Sequence, residues 1–118
     1  RHALHDGERA WPETNCYTDL WIEMLHGLGY DPVPLLAFTL AMDWEGDQYT
    51  FFKVQHEELR ALHGIGVEEL NVWKPLAEHA AEQAARGRIL VPEVDAWFLP
   101  DTAGVSYRAA HAKTSIGI

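Results

Sequence analysis

Three helical patterns in this chain each run into a glycine, so the fold must be assembled from short helices separated by strand- and turn-forming segments. The first runs from Cys16 to Leu28. Leu20, Trp21, Met24, Leu25 and Leu28 fall at three- and four-residue spacings on one face, with Asn15 as the polar cap and Gly29 as the stop. The second, His56 to His63, is closed by Gly64. The third has Pro75 at its start, the Ala-rich run Leu76 to Arg86, and Gly87 as a left-handed stop.

Strand signals occupy the gaps. Tyr49 to Val54 is rich in aromatic residues and follows the turn-forming Glu45-Gly46-Asp47-Gln48. Arg88 to Leu99 predicts a strand interrupted by Pro92, and therefore bulged or at a sheet edge. Val67 to Val72 predicts a short strand, and a last one starts at Lys113 after the loop Pro100 to Gly104 and a short helical turn at Tyr107 to Ala110. From Val33 to Met42 two patterns compete. Asp31-Pro32 suits a helix start, while Leu36, Phe38, Leu40, Met42 and Trp44 alternate as in a strand.

With 118 residues, 47% of them hydrophobic and 23% charged, and no linker-like run, the expectation is one domain with its own core. The opening on Arg1 rather than Met, and a close that reads like an unfinished strand, point to a piece of something longer, with a partner strand or domain outside it. A formal charge of −9 repels phosphate backbones and anionic lipid, which argues against nucleic acid and membrane surfaces as partners. There is neither a charged-then-apolar leader nor an apolar run of about 18 residues, and a single cysteine forms no internal disulfide. A cytoplasmic protein with a reduced thiol is the expectation.

That cysteine is the first candidate for chemistry. A thiol at a helix N-terminus faces unpaired N–H groups, which favour thiolate over thiol and can donate to an oxyanion formed when sulfur attacks a carbonyl. Cys16 is therefore a candidate nucleophile, against the alternative of a small hydrophobic filler. A nucleophile of this kind needs a base, and His111 stands at the start of a strand after a loop that could turn it toward the helix. Asp95, within a strand, is a candidate to orient His111 or grip an amine, and equally a structural group. Asn15 is first a helix cap and second an oxyanion donor, with Glu13 a weaker candidate of the same kind.

No histidine spacing forms a metal motif, and no cofactor is expected. His2 and His5 lie in a stretch without helical pattern, His56 and His63 are two turns apart, and His26 and His79 fall on helices with exposed faces. The loop Trp44-Glu45-Gly46-Asp47 lacks the alternating oxygen ligands of a calcium site. Trp11, Trp21, Trp44, Trp73 and Trp97 are expected as core or pocket walls, with a minority open to lining an acyl channel.

Asn15-Cys16-Tyr17 opening a helix, a later helix ending in Gly87, the run Val91-Pro92-Glu93-Val94-Asp95-Ala96-Trp97-Phe98-Leu99-Pro100, and Tyr107 and His111 before a strand together resemble the N-terminal part of the butirosin-biosynthesis acyltransferase-like proteins. More closely, the chain resembles an uncharacterised bacterial family related to them, whose genes lie near amino acid:carrier-protein ligases. The resemblance implies an α+β, papain-like fold in which the helix carrying the cysteine packs on an antiparallel sheet. It also implies a Cys16–His111 dyad that moves an acyl or aminoacyl group from a carrier-protein thioester to a small-molecule amine. The family pattern puts the orienting Asp or Asn on the strand after the histidine, beyond Ile118. Ala112-Lys113 stands where the acyltransferases tend to show a second histidine. A hydrolase using the same dyad, and a non-catalytic papain-like binding domain, are the alternatives.

Overall fold

The computed structural model describes Ala3 and residues 16–41, 44–46, 48–49 and 53–118. The chain divides into two compact units, Arg1–Glu69 and Leu70–Ile118. Among the described residues are three α-helices and two two-stranded antiparallel sheets, an α+β composition.

In the first unit, α1 spans Cys16–Gly27. It ends as its sequence dictates. Gly29 takes φ 83°, and the Tyr30 N–H donates back to the Leu25 carbonyl at 2.9 Å, satisfying an acceptor that the helix leaves open. The contested segment resolves as a 3₁₀ helix, Val33–Ala41. Pro32 and Pro34 supply no N–H to a strand ladder, and the Asp31 carboxylate accepts from the Val33 N–H at 3.0 Å, which starts a helical turn. A short hairpin follows, β1 (Trp44–Glu45) with β2 (Gln48–Tyr49), turning at Gly46 with φ 69°. The expected strand to Val54 is seen at its start only. Lys53–Gln55 have no regular structure, and residues 50–52 lie outside the described ones.

Helix α2 spans His56–His63 and closes at Gly64, φ 69°, whose N–H returns to the Arg60 carbonyl. The apolar face of α1 is buried against these neighbours. Trp21, Leu25, Leu35, Val54 and Leu59 form the core of the unit, with Tyr17, Met24, Leu36, Ile65 and Val67 packed around it. Among the described residues, the side chains buried with α1 come from the 3₁₀ segment, from α2 and from the segments flanking it. Residues 67–72 form no strand, where a short one was expected. Val67 turns toward the core while Leu70 and Val72 are exposed, and among the described residues no second strand pairs with the segment.

In the second unit, α3 spans Leu76–Ala85, and Gly87 at φ 72° ends it as predicted. His79 and Gln83, one turn apart, form its buried face. The run is so rich in alanine that these longer side chains fill the interior. His79 Nε2 accepts from the Trp73 N–H at 3.4 Å and its ring meets the Trp73 indole edge-on, with centroids 4.5 Å apart. Glu82 bridges Lys74 and Arg86 on the outer side, and both cations hold its carboxyl below the ordinary value, the Lys74 hydrogen bond foremost.

The sheet of this unit pairs β3 (Glu93–Asp95) with β4 (Lys113–Ser115). Hydrogen bonding continues in the same register on both sides of these strands. Leu90 and Ile118 exchange two bonds of 3.0 Å, and the Ala96 N–H donates to the Ala112 carbonyl at 2.8 Å. Pro92 sits at a paired position where its carbonyl accepts from the Ile116 N–H and its own donor is missing. The chain therefore passes Pro92 without the bulge that was one of the two expectations. With two strands in the sheet, each is an edge. The strand ends at Asp95 rather than Leu99, because the Asp95 side chain accepts from the Trp97 N–H and begins a 3₁₀ turn over Ala96–Phe98.

Candidate functional site

Cys16 is the first residue of α1 and its thiol is exposed and unpaired in any disulfide. The first-turn N–H groups of a helix have no partner within it, which is the physical ground for weighing Cys16 as a nucleophile. The next residue, Tyr17, sits among three groups of the same unit. Its hydroxyl lies 3.4 Å from His56 Nε2, Lys53 Nζ stands 5.2 Å above its ring, and Trp21 meets it edge-on. Asn15 and Glu13, together with His2 and His5, lie outside the described residues.

The second unit brings Asp95 and His111 together. Strand pairing sets Asp95 opposite Lys113, and alternation puts Glu93, Asp95, Lys113 and Ser115 on one face of the hairpin. Continuing that register sets Trp97 opposite His111. The diagonal contacts then follow. His111 Nδ1–H donates to Asp95 Oδ2 at 2.6 Å, and Lys113 Nζ donates to Glu93 Oε1 at 2.9 Å. Asp95 is used twice, since Oδ1 accepts from the Trp97 N–H at 3.0 Å. The imidazole and indole rings are stacked, with centroids 4.7 Å apart and planes 10° from parallel.

The loop between the two strands is fixed from within. Thr102 Oγ1 donates to the Ala96 and Leu99 carbonyls, and the Arg108 N–H donates to the Trp97 carbonyl at 3.1 Å. Arg108 takes φ 53°, a left-handed conformation that a non-glycine residue adopts only where its surroundings enforce it. The chain thus returns to lay His111 beside Asp95. A shallow open concavity on this hairpin is lined by Glu93, Val94, Asp95, His111, Ala112 and Lys113.

Electrostatics reinforce this arrangement. The hydrogen bond from His111, and after it the Trp97 N–H, holds the Asp95 carboxyl below its ordinary value, so Asp95 is a carboxylate at neutral pH. A carboxylate only accepts hydrogen bonds. It therefore selects the imidazole tautomer with hydrogen on Nδ1 and leaves the Nε2 lone pair of the neutral ring as acceptor. With 68% of the His111 side chain exposed, solvent and solutes reach that ring.

Trp97 was expected as a core or pocket wall, and its place on His111 was not read from the sequence. Spacing alone gave half the signal, since Trp97 follows Asp95 by two residues. The other half is the strand register, which is set by pairing. Among the described residues no group of three His, Cys, Asp or Glu side chains is placed to hold a metal ion, and no helix is long and apolar enough to cross a membrane.

The chain belongs to the family described as DUF1839 N-terminal domain, whose profile matches residues 1–118. Neither the curated proteins nor the solved structures contain a match to it.

Proposed function

We propose that this member of the DUF1839 N-terminal domain family is a cysteine-dependent acyl-transfer domain of papain-like type, with Cys16 as nucleophile, His111 as base and Asp95 as the residue that orients it. The observation that carries the proposal is the 2.6 Å bond from His111 Nδ1–H to a carboxylate at neutral pH, on a ring left open to solutes. Such a pair has the base-and-orienter logic of nucleophilic catalysis, and an exposed thiol at a helix N-terminus completes the set of residue types.

In the proposed reaction His111 Nε2 takes the Cys16 thiol proton, and the thiolate attacks the carbonyl carbon of a carrier-protein thioester. The carbon–sulfur bond to the carrier breaks and the carrier leaves as a thiol with the proton from His111. An amine acceptor then attacks the acyl-cysteine, His111 takes the amine proton, and the Cys16 sulfur departs and is reprotonated. Water in place of the amine gives a hydrolase with the same residues. The resemblance to butirosin-type acyltransferases favours the amine.

Alkylation kinetics test the proposal. The rate of Cys16 modification by iodoacetamide at pH 7 should fall in His111→Ala, and fall to a lesser degree in Asp95→Asn. A rate unchanged in His111→Ala would overturn the assignment.

A further inference from the structure

A hydrogen bond to Nδ1 fixes one atom of an imidazole but leaves the ring free to swing about that bond. His111 has no surrounding core to stop it, since most of its side chain faces solvent. The second restraint in the structure is aromatic. The Trp97 indole lies parallel to the imidazole at 4.7 Å and covers one of its faces. Trp97 is itself held on both sides of its peptide unit, by its N–H on Asp95 Oδ1 and by its carbonyl, which accepts from Arg108. Asp95, Trp97 and His111 therefore form a closed triangle in which the carboxylate bonds to both partners and the two rings stack on each other.

We propose that Trp97 is a positioning residue for His111: its indole fixes the imidazole plane, so that Nδ1 stays on Asp95 and the in-plane Nε2 lone pair keeps one direction. The inference rests on the reading of His111 as the base. Trp97 needs no contact with substrate for this role, so its loss should act on kcat and leave KM in place. A parallel aromatic pair of this kind is worth about a three- to tenfold factor in the population of the held orientation.

The test uses the full chain with nitrogen-15 histidine and 5-fluorotryptophan. In Trp97→Leu the ratio of Nδ1–H to Nε2–H tautomer of His111 should fall about three- to tenfold, and the His111 ring protons should lose the shift imposed by the indole. Trp97→Phe, which keeps a stacking face, should restore most of both. Unchanged ring-proton shifts and tautomer ratio in Trp97→Leu would overturn the proposal. The wild-type protein provides a readout that does not depend on the folding of any variant. Overhauser contacts between the fluorinated Trp97 indole and the His111 ring protons should be present, and their absence would overturn the stack. None of these readouts involves Cys16. A Cys16 alkylation rate indifferent to His111→Ala would overturn the acyl-transfer reading alone, and an intact tautomer ratio in Trp97→Leu would overturn the positioning alone.

Discussion

Leu25→Ala tests whether α1, and with it the proposed nucleophile, is held by the core described above. Leu25 is fully buried between Trp21 on its own helix and Leu35 and Leu59 on its neighbours, each at most 3% exposed. The substitution removes three buried carbons, about 2.4 kcal/mol at about 0.8 kcal/mol per methylene. The walls of the resulting cavity belong to two helices and a 3₁₀ segment, which close only partly, so the expected loss is about 3–4 kcal/mol. Against a total stability of about 5–15 kcal/mol for a domain, that is a large fraction. Urea denaturation followed by far-ultraviolet circular dichroism, at constant m-value, measures it directly. Leu40→Ala provides the internal control, because Leu40 is 91% exposed and its loss should stay within about 0.5 kcal/mol. If Leu25→Ala costs less than about 1 kcal/mol, or no more than Leu40→Ala, the packing of α1 on α2 and the 3₁₀ segment is wrong.

Gly64→Ala should destabilise the protein by about 1–2 kcal/mol, because the residue adopts φ 69° and none of the described residues beyond its chain neighbours lies within 4 Å of where the new Cβ would stand, so the loss is conformational rather than steric. Thermal denaturation should show it, and a neutral result would refute the left-handed cap. The Asp95 carboxyl should titrate below the ordinary aspartate value, because it accepts from His111 and from the Trp97 N–H. Its contribution to stability is then fully present above that value and is lost as pH falls through the lower folded value. Carbon-13 detection of the carboxyl in wild type and His111→Ala should show the midpoint rising toward ordinary in the variant, since the His111 bond is the largest cause of the displacement. An unmoved midpoint would refute the pairing.

Helix stops were legible because their cause is local. Gly29, Gly64 and Gly87 all adopt positive φ where the periodic patterns end, and a left-handed backbone is accessible to glycine whatever packs around it. The segment from Val33 was ambiguous for a local reason too, since apolar residues at that density fit either period. The missing strand at Val67–Val72 and the buried face of α3 had no such local sign. A strand exists only if another pairs with it, and His79 is buried because the Ala-rich helix has little else to turn inward.

The candidate site divides the same way. Sequence alone determined that one thiol stands at a helix start, that His111 precedes a strand, and that Asp95 lies within one, because helix starts and strand signals are properties of neighbouring residues. That Asp95 meets His111, sixteen residues away, and that Trp97 covers the ring, was decided by tertiary structure. A one-residue slip of β3 against β4 would send these side chains to opposite faces, and the register is fixed by hydrogen bonds running from Leu90–Ile118 to Ala96–Ala112 and by the loop that Arg108 closes.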